Sequence, residues 1–182
     1  MNHTLQTIAD RRSIRAYEPT PVADADLRAI MNAALQSPSG MNRQPWHFTV
    51  VTDRALLDEF DAAHDPNASL TYRAPAVIFV TVPVNRAELS NSADAYVCGR
   101  DRGIDCGIAV QNMALAAWSL GYGNVILGMP RAVFEGERGP EFMERFGIPE
   151  GHEFIIALAV GKAAKGKDAH ELHPEKVHYV GQ

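Results

Sequence analysis

The stretch GIDCGIAVQNMALAAWSL occupies residues 103–120 and decides the architecture of the chain. It is apolar on nearly every side and rich in Ala and Gly, a pattern typical of a helix packed closely by neighbours all round. Gly121 and Gly123 follow it and supply helix-stop chemistry. Such a helix is most easily buried between two subunits of so small a protein, so the sequence predicts a central helix and a homodimer. A charge introduced at Ala114 is expected to split that dimer.

Helical periodicity and short apolar runs alternate on both sides of this helix. The predicted helices cover residues 5–12, 24–36, 54–63 and 141–146. The predicted strands cover residues 46–52, 76–82, 124–127 and 154–161. We expect a loop with a short helix over residues 83–102, and the tail 162–182 has no core of its own. This order predicts an α+β fold, a layered mixed sheet flanked by helices, in a single domain over residues 1–182.

The composition excludes several classes of protein. The chain has 182 residues, of which 46% are hydrophobic and 21% charged, and a formal net charge of -5. These values are typical of a globular chain, and they leave no overall positive field for nucleic acid. The longest apolar runs fall far below the roughly 20 residues of a membrane-spanning helix, and the first 15 residues carry charges in place of a signal core. We therefore predict a cytoplasmic protein with no nucleic-acid or membrane partner.

The densest positive charge lies in RRSIRAYEP, residues 11–19. In an extended chain the side chains alternate, so Arg11, Ser13 and Arg15 would point the same way. Two guanidiniums and a hydroxyl that converge fit a ligand phosphate, because Arg presents a planar fork of donors. A solvated basic patch, or ion pairs with the excess carboxylates, would explain the same charges.

A second polar segment, PSGMNRQPW at residues 38–46, lies between a predicted helix and a predicted strand. Trp46 adds a flat apolar wall to its polar donors and acceptors, which are Ser39, Asn42, Arg43 and Gln44. This combination could bind the edge of a planar heterocycle. A turn in which Pro and Gly simply reverse the chain is the alternative.

Five motifs in order resemble the FMN-dependent nitroreductase family. They are RRSIRAYEP, PSGMNRQPWHF, GIDCGIAVQNMALAAWSLGYG, ILGMP and FIIALAVGKA, and they span almost the whole chain. The resemblance implies a nitroreductase-like α+β dimer with two FMN sites at the subunit interface. It also implies a two-electron cycle in which NADH or NADPH reduces FMN and the flavin then reduces the substrate.

The resemblance assigns cofactor-binding residues in three groups. The first is expected to hold the FMN phosphate, ribityl chain and pyrimidine edge, and consists of Arg11, Arg12, Ser13 and Arg15. The second is expected to close over the flavin of the other subunit, and consists of Pro38, Ser39, Gly40, Asn42 and Gln44. The third is expected to lie at the flavin ring, with a backbone amide near N5, and consists of Asn67, Leu127 and Gly128. No side chain is assigned as a catalytic acid, because flavin N5 carries the chemistry.

The chain departs from the family pattern at its C-terminal end. Family members commonly place a Lys or Arg pair there to complete the phosphate site, whereas this tail contains no Arg. Lys165, Lys167 or His170 is expected to substitute. The segment 85–102 is short compared with the larger members, which implies a small roof with an accessible pocket, or a different substrate.

Other signals are weaker. A His-rich tail with His170 and His173 lacks a compact tetrahedral ligand set, so no metal is predicted. Asp101 and Asp105 are interpreted as first-turn acids that favour the helix macrodipole. Cys98 and Cys106 are expected to be reduced thiols, one or both buried. No G-x-G-x-x-G occurs, so a nicotinamide cofactor would visit an open flavin face.

The sequence thus predicts an FMN-dependent NAD(P)H oxidoreductase that reduces nitroaromatics, quinones or similar flat electrophiles in a ping-pong cycle. Two alternatives stay open. One is a specialised flavin-scaffold enzyme for dehalogenation or flavin breakdown, and the other is a slow-turnover FMN-binding regulator or reservoir.

Overall fold

The computed structural model describes residues 1–67, 69–84 and 92–181, with the backbone alone for residues 92–101. The helices of this part are α1 (His3–Asp10), α2 (Asp24–Leu35), α3 (Arg54–His64), α4 (Ser92–Ser119), α5 (Arg131–Phe134) and α6 (Gly139–Arg145). The strands are β1 (His47–Val51), β2 (Ala76–Pro83), β3 (Gly123–Leu127) and β4 (His152–Gly161). No helix in the described ranges is long and apolar enough to cross a membrane.

The four strands form one sheet in the order β1-β2-β4-β3, and every neighbouring pair is antiparallel. The expected mixed sheet is therefore wrong for these strands. Val51 at the end of β1 pairs with Val77 at the start of β2, so the chain leaves and re-enters the sheet at the same end. A parallel element enters only as the isolated bridge between Ser13 and Asn124, within the described ranges.

The two central strands are buried on both faces. Ile78 and Val80 of β2 belong to a core with α2 and α4, whereas Val77 and Phe79 belong to a core with α3, α5 and α6. Alternation along a strand sends successive side chains to opposite faces, so a strand of this kind is apolar over most of its length instead of at every second position. The prediction of a fully buried strand over residues 76–82 is confirmed.

Helix α4 begins at Ser92, well before the predicted start at residue 103. Residues 92–102, expected to be loop with a short helix, therefore belong to α4, and residues 85–91 lie outside the described ranges. Asp101 and Asp105 are thus far inside the helix. Because the macrodipole acts on the first and last turns, the first-turn interpretation of these two acids is wrong.

Only part of the surface of α4 is buried by its own chain. Cys106, Met113 and Ala114 are fully buried in the core on the sheet, so the protomer interior, not a partner, surrounds Ala114. The expectation that a charge at Ala114 tests the dimer is therefore wrong. On the other side, Ile104 is 60% exposed and Ile108 is 36% exposed. This face of α4 is apolar and uncovered by the protomer.

The remaining differences lie in short elements. Helix α5 was not predicted because its four residues are too few to show a helical period. The tail after β4 is exposed throughout residues 162–181 and contains a 3-10 turn at Pro174–Lys176. It has no core of its own, as predicted.

A cluster of phenylalanines fills the core between the sheet and helices α3, α5 and α6. Phe60 of α3 is fully buried at its centre. Its ring lies 5.1–5.4 Å, between centroids, from four other rings, those of Phe79, Phe134, Phe142 and Phe146. Such contacts add to the stabilisation from burial.

We expect Phe60→Ala to lower the free energy of unfolding by about 3–5 kcal/mol, because four rings would lose their common neighbour and leave a cavity. Urea denaturation of the cofactor-free protein at one fixed protomer concentration measures this. Phe60→Leu, which keeps most of the apolar volume, is the matched control and should lose less. Equal midpoints for Phe60→Ala and the unmodified protein would show that this cluster does not stabilise the fold.

Candidate functional site

The basic segment, residues 11–15, follows α1 as an extended chain at the edge of the sheet. Ile14 is buried at 2% exposure, and its N–H donates to the carbonyl of Asn124 at 2.9 Å. Since side chains alternate in an extended chain, Ser13 and Arg15 face away from the core. The structure therefore anchors the segment through Ile14 and leaves its polar side chains outside.

Two residues of β3 make this anchoring possible. Asn124 is fully buried, and its Nδ2 donates to the carbonyl of Ala114 in α4 at 2.9 Å. A Cβ on Gly123 would lie 2.8 Å from the Ile14 side chain, so only glycine allows this close approach. The sequence had suggested a helix stop for the glycine. Asn124 was missed, because only the fold brings it against the basic segment.

The arginines of the basic segment differ in their surroundings. Burial, and next the charge of Arg12, lower the pKa of Arg11, so its positive charge is disfavoured there. Arg12 donates from Nη1 to the carbonyl of Ala9 at 2.6 Å and to that of Arg11 at 2.9 Å, which directs it to the C-terminal end of α1. An anion bound beside Arg11 would stabilise the positive charge of its guanidinium.

Arg15 lies beside a tyrosine that the sequence did not single out. Its guanidinium carbon is 5.9 Å from the centre of the Tyr72 ring. Tyr72 has φ 53°, in the left-handed region, and the next residue has the same value. Asp61, a buried carboxylate, holds this turn by accepting from the N–H of Thr71 at 3.2 Å and from its hydroxyl at 2.7 Å.

Asn67 lies in the exposed turn after α3. Its backbone N–H donates to the Asp65 carboxylate at 2.8 Å. The structure thus presents Tyr72, not Asn67, directly to the basic segment, and the role predicted for Asn67 stays a prediction.

The start of the tail pairs with the chain that continues from the basic segment. Tyr17 forms an antiparallel bridge with Ala163, and the N–H of Ala164 donates to the carbonyl of Ala16 at 2.9 Å. Lys165 follows this bridge by two residues, in a bend of the exposed tail. It is the tail candidate nearest in sequence to the paired residues, and Lys167 and His170 lie further along the tail.

Leu127 ends β3 and Gly128 follows it, beyond the parallel bridge that joins Asn124 of this strand to Ser13. Leu127 is buried, whereas Gly128 is exposed. A Cβ added at Gly128 would meet no heavy atom within 4 Å among the residues that surround it in the described ranges. The backbone is therefore open to the close approach of a planar group at this point.

The 38–44 loop (residues 38–44) has an unusual backbone. It contains a 3-10 turn at Gly40–Asn42, and Met41, Asn42 and Gln44 all have φ near 50°. The Ser39 hydroxyl accepts from the N–H of Gln44 at 2.9 Å, and Nε2 of Gln44 donates to Oδ1 of Asn42 at 3.0 Å. The loop closes on itself and leaves the side chains of Asn42 and Gln44 exposed, together with that of Pro38.

Trp46 anchors the end of this loop and does not line an open pocket, contrary to our expectation. Its side chain is buried in the core with α2 and α4, and its ring stacks on Phe48 at 6.1 Å between centroids.

Helix α4 fixes the beginning of the loop through two polar side chains. Oδ1 of Asp105 accepts from the N–H of Gly40 at 3.0 Å. Nδ2 of Asn112 donates to the hydroxyl of Ser37 at 2.8 Å. Neither Asp105 nor Asn112 was predicted to take part in a site. The sequence does carry a signal for them, because they are polar residues in a helix that is otherwise mostly apolar. The loop is thus held by Asp105 and Asn112, whereas the basic segment is held by Asn124.

Cys106 is a buried thiol, as expected for at least one of the two cysteines. Burial, and next the charge of Asp105, raise its pKa to about 12, so it stays protonated at neutral pH. The side chain of Cys98 lies outside the described residues.

The chain is similar to known proteins over nearly its whole length. A family model described as the nitroreductase family matches residues 8–66 and 62–162. The chain is 34% identical over 184 residues to an Archaeoglobus fulgidus protein that carries an NADH dehydrogenase/NAD(P)H nitroreductase name, with 98% of each chain covered. It is 29% identical over 176 residues to a Bacillus subtilis FMN reductase (NAD(P)H), with 90% of this chain and 67% of that protein covered.

Among solved structures, a nitroreductase from Desulfitobacterium hafniense with bound FMN is 34% identical and superimposes with a TM-score of 0.85, covering 99% of each chain. Superposition over the whole chain gives this protein the fold of the nitroreductases. The chain belongs to the nitroreductase family.

Proposed function

We propose that the protein is an FMN-dependent oxidoreductase that takes two electrons from NADH or NADPH and passes them to nitroaromatics, quinones or similar flat electrophiles. The observation that carries the proposal is the basic segment, where Arg11 is partly desolvated beside Arg12 and Ser13 and Arg15 face outward. A relative 34% identical over nearly the whole chain binds FMN. The names of other relatives supply the nicotinamide donor.

The donor set fits a phosphate. Arg11, Ser13 and Arg15 would hold it, and Lys165, two residues after the bridge between Tyr17 and Ala163, would complete it. A dianion there would offset the burial that disfavours the charge of Arg11, and charge-assisted hydrogen bonds from Arg are strong. Arg12 would contribute its charge from a guanidinium already turned to the end of α1.

The open backbone at Gly128 fits the flavin ring. With Leu127 buried behind it and no Cβ in the way, the backbone can approach a planar ring and donate to it without a titrating side chain. When bound, FMN supplies two-electron transfer at N5. We assign no general acid to the chain, and Asn67 is retained only as a candidate contact to the ring edge.

We further propose that the protein is a homodimer whose 38–44 loop closes over the flavin of the other subunit. Two observations support this. The exposed face of α4 carries Ile104 and Ile108 one turn apart, which a second copy would cover. The loop presents Asn42 and Gln44 outward, while its anchor at Gly40 binds α4 and not the basic segment.

The visible spectrum of the purified protein, with added FMN and then anaerobic NADH or NADPH, tests the proposed activity. We expect bound flavin bands that bleach with at least one nucleotide and return when a nitroaromatic or a quinone is added. Bound flavin that stays oxidised would contradict the reductase and favour a reservoir or a specialised enzyme. No binding of added FMN would overturn the proposal altogether.

Arg15→Ala is expected to weaken FMN binding by about 10–100-fold, because a charge-assisted contact to the cofactor would be lost. Titration of the cofactor-free protein with FMN, followed by flavin fluorescence, measures the affinity. Arg28→Ala, which removes an equally exposed charge from α2, is the matched control and should leave the affinity unchanged.

The same titration separates the tail candidates. Lys165→Ala should weaken binding more than Lys167→Ala, and Lys176→Ala, in the 3-10 turn near the end of the tail, should have no effect. Unchanged affinity in both Arg15→Ala and Lys165→Ala would remove this edge of the sheet from the site.

Ile108→Asp tests the proposed dimer. An unpaired carboxylate on the apolar face of α4 should raise the dimer dissociation constant by about 100-fold or more and weaken FMN binding with it. Sedimentation at several protein concentrations measures the first effect, and the FMN titration measures the second. Ala62→Asp, on the exposed side of α3, is the control. A dimer of full strength in Ile108→Asp would place the interface elsewhere.

A further inference from the structure

Asp105 is a buried carboxylate that the proposed function leaves without a role. It lies on α4, beside the fully buried Cys106, and is only 6% exposed. Burying a charged group is unfavourable unless hydrogen bonds replace its water. Asp105 meets this condition through the N–H of Gly40, 3.0 Å from its Oδ1, at the start of the 3-10 turn in the 38–44 loop.

The loop beyond Gly40 depends on an external anchor. Met41, Asn42 and Gln44 all occupy the left-handed region, which residues with a Cβ adopt only when their surroundings hold them there. The bonds from the N–H of Gln44 to Ser39 and from Gln44 to Asn42 close the loop internally but do not orient it on the protein. The bond to Asp105 does orient it, because it joins the loop to a rigid helix.

The hydrogen bond to Asp105 acts at Gly40, the residue just before those with positive φ. Asn112, two turns further along α4, holds Ser37 before the loop begins, and Trp46 is buried after the loop ends. Between these points the Asp105 bond ties the loop to a side chain of the helix. A shift at Gly40 would therefore be passed to Asn42 and Gln44, the two side chains that the loop turns outward.

We propose that Asp105 is a positioning residue for the cofactor site: its carboxylate sets the orientation of the 38–44 loop and, through the loop, the placement of Asn42 and Gln44 against the flavin of the other subunit. The inference rests on the proposed function, since it assumes that the loop contacts FMN. Asp105 itself touches neither the cofactor nor the substrate in this role. Hydrogen bonding to the loop, not the charge as such, is what matters.

Three variants test the role. Asp105→Leu keeps the approximate size of the side chain and raises its helix propensity, but it leaves the N–H of Gly40 without its acceptor. Asp105→Ala is used instead if the leucine variant does not fold. Asp105→Asn keeps an oxygen acceptor at the same place. The control Tyr122→Phe removes a different hydrogen bond, 2.8 Å long, between the connection from α4 to β3 and Asp26 in α2, away from the loop.

Two readouts are compared, FMN affinity by fluorescence titration and amide hydrogen exchange of residues 39–44 in the cofactor-free protein. We expect Asp105→Leu to weaken FMN binding about tenfold or more and to speed exchange at Gly40. Asp105→Asn should stay within about threefold of the unmodified protein. Tyr122→Phe should lower the melting temperature without changing either readout.

A double-mutant cycle separates positioning from general loss of stability. If Asp105 acts through the loop, its substitution should have little further effect on FMN affinity once Asn42 and Gln44 have both been changed to Ala. Additive losses would overturn the proposal, as would an Asp105→Leu protein with normal exchange at Gly40 and normal FMN affinity. Failure of the unmodified protein to bind FMN would instead overturn the proposed function, and the exchange data would still decide whether Asp105 orients the loop.

Discussion

The packing of α4 on the central strands is the constraint on which the rest of the structure depends. β2 and β4 are apolar on both faces, so each face needs a layer of helices, and α4 covers one of them with α2. A helix placed in this way has little freedom to rotate. Its polar residues, Asp105 and Asn112, are consequently fixed relative to the sheet, and they in turn hold the loop that begins after α2.

The basic segment depends on α4 indirectly, through Asn124 of β3. Asn124 connects α4 to β3 by a side-chain bond to the carbonyl of Ala114, and its own carbonyl holds Ile14. The close contact of Ile14 with Gly123 leaves no room for a side chain on β3 at that point. Backbone pairing and one buried amide thus orient the segment that carries the arginines.

Local patterns predicted the elements well where the burial pattern is complete along the sequence. β2 is apolar at every position except Thr81 because both faces are covered, and its bounds differ from the prediction by a single residue. The start of α4 was missed because residues 92–102 are polar and carry no apolar stripe, and the misplaced start made Asp105 look like a first-turn acid. The antiparallel sheet was missed as well, since strand direction depends on the path of residues 52–75 outside the sheet.

In the candidate site, alternation alone anticipated that Ser13 and Arg15 lie opposite Ile14. Tyr72 could not be found in this way, because a distant turn brings it to Arg15.

Cofactor binding and assembly are linked in the proposed dimer, and α4 is the reason. Asp105 on one face of the helix accepts a hydrogen bond from Gly40 of the 38–44 loop, while another face leaves Ile104 and Ile108 exposed. A cofactor held by the basic segment of one subunit and the loop of the other binds the dimer more tightly than the monomer, so by mass action FMN stabilises the dimer and dimerisation raises FMN affinity. This coupling requires no change of conformation. It follows from the proposed division of each site between two chains, in which α4 holds the loop directly and the basic segment through Asn124.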